Sequence, residues 1–185
     1  MMRSLHFVTY SDRHSRRYSF CLGSFVLPIL LLLPRTAATQ QTAAESLAGT
    51  AVCTFDDGKQ VSSRYKPAAT RGEVPAGKVW APGGVAMTMF TETEIMIANT
   101  SVAPGAYTMY LLPGKKDWTL IVSRNATVDG RYDQNQDLVR ATMQTGELSQ
   151  AEKQLKVFFG HIAPKRCEIN VDYGNSRAWI DLTQK

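Results

Sequence analysis

Arg166-Cys167-Glu168-Ile169-Asn170-Val171-Asp172-Tyr173-Gly174-Asn175-Ser176-Arg177-Ala178-Trp179-Ile180-Asp181-Leu182 is the stretch that decides the fold. Successive side chains of a strand point to opposite faces, so Cys167, Ile169 and Val171 share one face while Glu168, Asn170 and Asp172 share the other. Ala178, Ile180 and Leu182 repeat the pattern. Gly174-Asn175 separates the two runs, and both residue types tolerate the positive φ of a two-residue hairpin turn. The spacing therefore predicts two half-buried antiparallel strands.

Working outward, the same kind of short β-type run recurs at 51–55, 60–65, 78–80, 86–91, 94–98, 105–111, 118–123, 138–143 and 154–162. Asp57-Gly58 and Pro113-Gly114 mark two further hairpins. Residues 147–156 are the one segment with a helical aspect, Ser149 serving as a cap, and a loop is the competing reading. Many short strands with no strand-helix alternation predict an all-β, antiparallel β-sandwich, immunoglobulin-like or jelly-roll-like, with little helix after the leader. The longest irregular stretch is the Pro/Gly-rich segment 67–84, and long loops on a rigid scaffold are where function concentrates.

The first 38 residues set the expected location. A basic segment with Arg3, Arg13, Arg16 and Arg17 runs into an apolar block at 20–33, then Pro34 and Thr36-Ala37-Ala38, the layout of a cleavable export signal. The apolar block holds about 14 residues and contains Pro28, whereas a helix crossing a bilayer needs roughly 20. The expected organisation is a signal peptide at 1–38, a flexible linker at 39–50 and a single β-sandwich domain at 51–185. No transmembrane segment is expected after cleavage. The destination is periplasm or extracellular medium.

Removing the leader changes the charge argument. Residues 1–38 carry five of the 21 Lys+Arg and one of the 16 Asp+Glu, leaving 16 basic and 15 acidic side chains. That near-neutral balance provides no electrostatic footprint for nucleic acid. Cys53 and Cys167 remain after processing, and an oxidising compartment makes them a candidate disulfide, with two free thiols as the alternative.

Three further motifs fall in order: Gly77-Lys78-Val79-Trp80, then Ala103-Pro104-Gly105-Ala106-Tyr107-Thr108-Met109-Tyr110-Leu111-Leu112-Pro113, then Trp118-Thr119-Leu120-Ile121. With Cys53-Thr54-Phe55-Asp56-Asp57-Gly58-Lys59 and Asp137-Leu138-Val139-Arg140, they make the chain resemble the exported bacterial family known as domain of unknown function number 2911. The resemblance implies a secreted β-rich domain without an established activity. It also exposes a departure. Members of that family usually follow the tryptophan with Arg, a small residue, Gly, then Ala, Asn or Asp, and Glu, whereas this chain has Ala81, Pro82, Gly83, Gly84, Val85 and Ala86. Only Gly83 is kept.

Catalysis is thinly provided for. Outside the leader there is one histidine, His161, and no Gly-x-Ser-x-Gly elbow. One histidine and two distant cysteines cannot supply the ligands of an ordinary zinc site. Asp56 and Asp57 are neighbours and read as a turn entrance rather than a glycosidase pair. Asp133-Gln134-Asn135-Gln136-Asp137 alternates oxygen ligands as a calcium loop does, but lacks the Gly and the final Glu. Met87, Met89, Met96 and Met109 could offer thioethers to Cu(I), or fill the core. No catalytic residue, metal or cofactor is therefore assigned.

The expected function is a non-catalytic exported protein of the cell envelope or medium, whose partner is an envelope protein or a glycan. The alternative is a module binding a small molecule or carbohydrate through exposed aromatics near the Trp80 loop, with Lys78, Trp80 and Tyr110 as the ligand-binding candidates. A hydrolase with paired carboxylates comes third. Tyr110 and Trp179 are expected at the surface, Tyr107 and Trp118 in the core. Asn99-Thr100-Ser101 and Asn125-Ala126-Thr127 match glycosylation acceptors, a pattern that chance often produces.

Overall fold

The structure, a computed structural model, describes residues 49–71, 74–128 and 131–185. The expected leader and most of the expected linker lie outside them. Among the described residues nine strands form: β1 (Gly49–Thr54), β2 (Gln60–Tyr65), β3 (Met87–Thr91), β4 (Ile95–Ile97), β5 (Thr100–Val102), β6 (Gly105–Pro113), β7 (Trp118–Ser123), β8 (Asp137–Ala163) and β9 (Arg166–Gln184). Every pairing is antiparallel, in the order β1-β2-β3-β6-β7-β8-β9-β4-β5. This is the all-β sandwich that the alternation predicts.

One layer runs from β1 to the start of β8, and the other comprises the rest of β8 with β9, β4 and β5. A single strand can serve both because β8 is 27 residues long. Drawn straight it would span about 90 Å at roughly 3.3 Å per residue, so it must bend to stay within a small domain. Its first part, Asp137 to Met143, pairs with β7, and its remainder pairs with β9. Met87, Met89, Met109, Leu111 and Leu120 from one layer meet Ile169, Val171, Leu182 and Ile97 from the other in one buried cluster. The three methionines named there are fully buried, which makes them core filler rather than a surface thioether site.

Gly174-Asn175 does not turn the chain. Residues 166–173 and 177–182 belong to one continuous β9, and both pair with β8. From Glu147↔Ser176 to Lys156↔Asp172, β8 advances nine residues while β9 advances four, so β8 carries a large bulge opposite Gly174. Gly174 has φ 59°, the left-handed conformation that bends a strand at such a site as readily as it reverses one. Residues 147–156, given a helical or loop reading, are that bulged part of β8.

The other differences are local. β1 takes in Gly49 and Thr50, assigned to the linker, because Gly49 lies flat on the Tyr65 ring, where a Cβ would come within 2.5 Å of Cζ. Residues 78–80 form only an isolated bridge, Trp80↔Leu111. β5, absent from the sequence reading, is three residues long and pairs with β4.

Cys53 and Cys167 are bonded, with Cα atoms 6.3 Å apart. The bond fastens β1, the outermost strand of its layer, to β9. Asp56 N donating to Pro164 O at 3.1 Å ties the same corner. The C-terminus closes it: Gln184 Nε2 donates to Asp57 Oδ2 at 2.7 Å, and Lys185 Nζ to Glu94 at 2.7 Å. Among the described residues no helix is long and apolar enough to cross a membrane.

Candidate functional site

Between β2 and β3, hydrogen bonds pin the described loop residues, 66–71 and 74–86, at successive points. Ala68 O accepts from Leu155 N, and Thr70 N donates to Lys153 O, so the loop runs beside the β8 bulge. The Thr70 hydroxyl donates to Glu152 O at 2.7 Å, and the Tyr173 hydroxyl bonds the Arg71 backbone. Further on, Gly77 N donates to Pro113 O, and Trp80 exchanges two backbone bonds with Leu111. The loop then folds back at Pro82–Gly84, where Gly83 has φ 79° and a Cβ would sit 3.0 Å from Lys66 O. That contact gives a physical reason for the one motif residue that the chain keeps.

The sequence-derived candidates separate in space. Trp80 is half-buried and points inward, its ring edge-on to Tyr173 at 4.9 Å and Trp118 at 6.1 Å. Tyr110 lies on the opposite face of β6 and is only 5% exposed, packed with Ile121, Ala86 and Tyr132. Its expected exposure is therefore corrected. The outer face of β6 and β7 is covered locally by Val79, Ala81 and Tyr132, which alternation within β6 cannot reveal. Lys78 is exposed, Trp179 is half-buried against Gly146, Trp118 is buried as expected, and Tyr107 is half-buried with its hydroxyl on Ala103 O.

Beside this loop is an open cleft of about 370 Å³. Val74 and Ala76 form its near wall, and the buried Pro113 and Trp118 lie beneath its floor. The β6–β7 turn contributes Lys115 and Lys116, β8 contributes Thr145 and Glu147, and β9 contributes Ser176. The turn is held rigidly: Gly114 N donates to Asp117 O at 2.8 Å, and the Thr145 hydroxyl donates to Lys116 O at 2.6 Å. A Cβ at Gly146 would stand 3.3 Å from the Trp179 ring, so a side chain there would press that ring back by a few tenths of an ångström. Among the described residues, Lys115, Lys116 and Glu147 form no ion pair. Sequence reading missed these polar groups. The adjacency of Lys115 and Lys116 on a hairpin was visible, but Glu147 joins Ser176 only through the β8–β9 register.

Other sites are structurally engaged. His161 Nε2 lies 3.4 Å from Asp56 Oδ1, both side chains well exposed, and no serine hydroxyl among the described residues bonds to either. Asp57 accepts from Lys59 N and Gln184 Nε2, and the backbone bond from Lys59 leads the causes that hold its carboxyl below the usual range. In the suggested calcium loop, Asp133 accepts from Asn135 N, while Asp137 Oδ2 accepts from Tyr132 and Arg140, both at 2.7 Å. A guanidinium in direct contact opposes a divalent cation there. Burial, with Asp137 alongside, raises the Tyr132 phenol. No group of three or more His, Cys, Asp or Glu able to hold a metal gathers among the described residues. Among the described residues, a hollow of about 500 Å³ at the bulge is lined by Gln150 to Gln154, consecutive residues of β8.

No curated protein and no solved structure matches the chain. A family model described as "Protein of unknown function (DUF2911)" matches residues 51–182, in agreement with the resemblance carried by the tryptophan and Ala103–Pro113 motifs. The chain belongs to the DUF2911 family.

Proposed function

We propose that the protein is exported and works in the periplasm or medium as a non-catalytic β-sandwich, with a leader at 1–38, a short linker and a single domain from about residue 51. The observation that carries this reading is the buried Cys53–Cys167 bond, which joins β1, the edge strand of one layer, to β9 in the other. Cytosolic thiols are kept reduced, so a fold that relies on such a bond belongs in an oxidising compartment. The leader-like layout of residues 1–38 agrees with it. Expressing the full chain in a bacterium, separating cytoplasm, periplasm and medium, and sequencing the N-terminus tests this. The reading predicts a chain beginning near residue 39 outside the cytoplasm. A cytoplasmic chain still starting at Met1 refutes it.

A second reading, binding of a small molecule or carbohydrate, is favoured by the cleft beside the Trp80 loop. Ligand sites join apolar surface to a few polar groups drawn from separate elements, and this cleft does so from β6–β7, β8 and β9. Of the three candidates, Lys78 is exposed two residues beyond Ala76 at the rim, Trp80 supports the loop from below, and Tyr110 acts only as packing on the far face. Saturable thermal stabilisation by a sugar or other small molecule supports this reading, since a ligand that binds only the folded state must raise its stability.

A further inference from the structure

The geometry points to a carboxylated sugar as the ligand class of the cleft beside the Trp80 loop, an inference that rests on the binding reading above. Three features of the lining choose the class. First, Lys115 and Lys116 bring two ammonium groups to one short turn, neither used in an ion pair with a described residue. They suit a carboxylate. Second, Glu147 stands in the same cleft, across from Ser176 and next but one to Thr145. A bare anion gains nothing from Glu147, whereas sugar hydroxyls donate to a carboxylate and exchange bonds with serine and threonine hydroxyls. Third, the half-buried Val74 and the exposed Ala76 of the loop supply accessible apolar surface against which the C–H face of a pyranose can rest.

The site is also preorganised. The Thr145 bond to Lys116 O and the closure of the turn at Gly114 fix the backbone that carries both lysines. A volume of about 370 Å³ lies at the small end of ligand pockets, enough for one sugar residue rather than a long chain. Because the cleft is open and its charges are wet, affinity should be modest, with a Kd on the order of 0.1–1 mM.

The test is a titration of the purified protein, followed by amide and indole NMR shifts, with glucuronate, glucose, glutamate, acetate and phosphate as separate probes. Glucuronate is expected to give saturable shifts at Gly114, Gly146 and the Trp118 indole, and to bind about tenfold more tightly than glucose or acetate. Lys115→Gln/Lys116→Gln should weaken glucuronate about tenfold, and Glu147→Gln about threefold, with the remaining spectrum unchanged because neither change touches the backbone bonds of the turn. Glucose binding as tightly as glucuronate, or lysine substitution without effect, overturns the acidic-sugar assignment while leaving the binding reading intact. Tighter binding of glutamate overturns it in favour of an amino acid, and equal binding of acetate or phosphate reduces the cleft to an anion site. No saturable shift at the cleft with any probe overturns both readings.

Discussion

Replacing both cysteines, Cys53→Ala/Cys167→Ala, is the perturbation whose size follows most directly from the structure. The bond closes a loop of 114 residues. In the chain-entropy treatment such a cross-link removes about 16 cal/mol/K from the unfolded chain, or about 4.8 kcal/mol at 25 °C, and measured losses of native disulfides run at about 2–5 kcal/mol. Total stability of a domain is about 5–15 kcal/mol, so the loss is a large share. Unfolding entropy for a domain of roughly 140 residues is about 0.29 kcal/mol/K, which converts the loss to a fall in Tm of about 7–17 °C. Both side chains are almost wholly buried, and alanine leaves no polar atom stranded there. The assay is urea unfolding of wild type, reduced wild type and the double variant. Reduced and substituted proteins should fall together. A change below about 0.5 kcal/mol in both would refute the claim that this bond secures β1 to β9.

Further tests address the loop, the buried charge and the acid response. Gly83→Ala should cost about 1–3 kcal/mol, because φ is 79° and the new Cβ meets Lys66 O, whereas Gly84→Ala, with φ 78° and open space, should cost about 1 kcal/mol; equal losses in chemical denaturation would contradict the close approach. Asp172 is wholly buried and holds the 36% exposed Arg177 through bonds of 2.6 and 2.7 Å, so Arg177→Met should cost about 1–3 kcal/mol, and Asp172→Leu/Arg177→Met less than the single change. Lys59 N and Gln184 on Asp57, and Lys185 with Ser101 on Glu94, lower both carboxyls, so their stabilisation is present above the ordinary carboxylate range and is lost as pH falls below about 4. Hydrogen exchange at residues 182–185 should accelerate first in acid, and uniform protection down to pH 3 would contradict it.

The parts of the fold that sequence reading reached are those decided within one strand. β2 and β7 fall at the expected residues because alternation and flanking turns bound them closely. Asp57-Gly58 and Pro113-Gly114 are the turns they were read to be. Gly174 was misread because positive φ is compatible with both a hairpin and a bulge, and only the partner strand distinguishes them. Asp172 was placed with the solvent-facing residues for the same reason. Its burial depends on Arg177, which reaches it from across the kink and lies over the Phe158 ring. The candidate site shows the same division. Lys78 and Trp80 lie on the loop beside the cleft, yet the cleft's polar groups come from the β6–β7 turn and from the middle of β8 and β9, which only the pairing between strands brings together.

The account stands most directly on the state of Cys53 and Cys167 in the cell that makes the protein. Free thiols are trapped by alkylation before lysis, and the isolated protein is digested without reductant for mass analysis. The account predicts one peptide pair linked through Cys53 and Cys167, with no alkylated form of either. Alkylated Cys53 and Cys167 in an otherwise folded protein would contradict it.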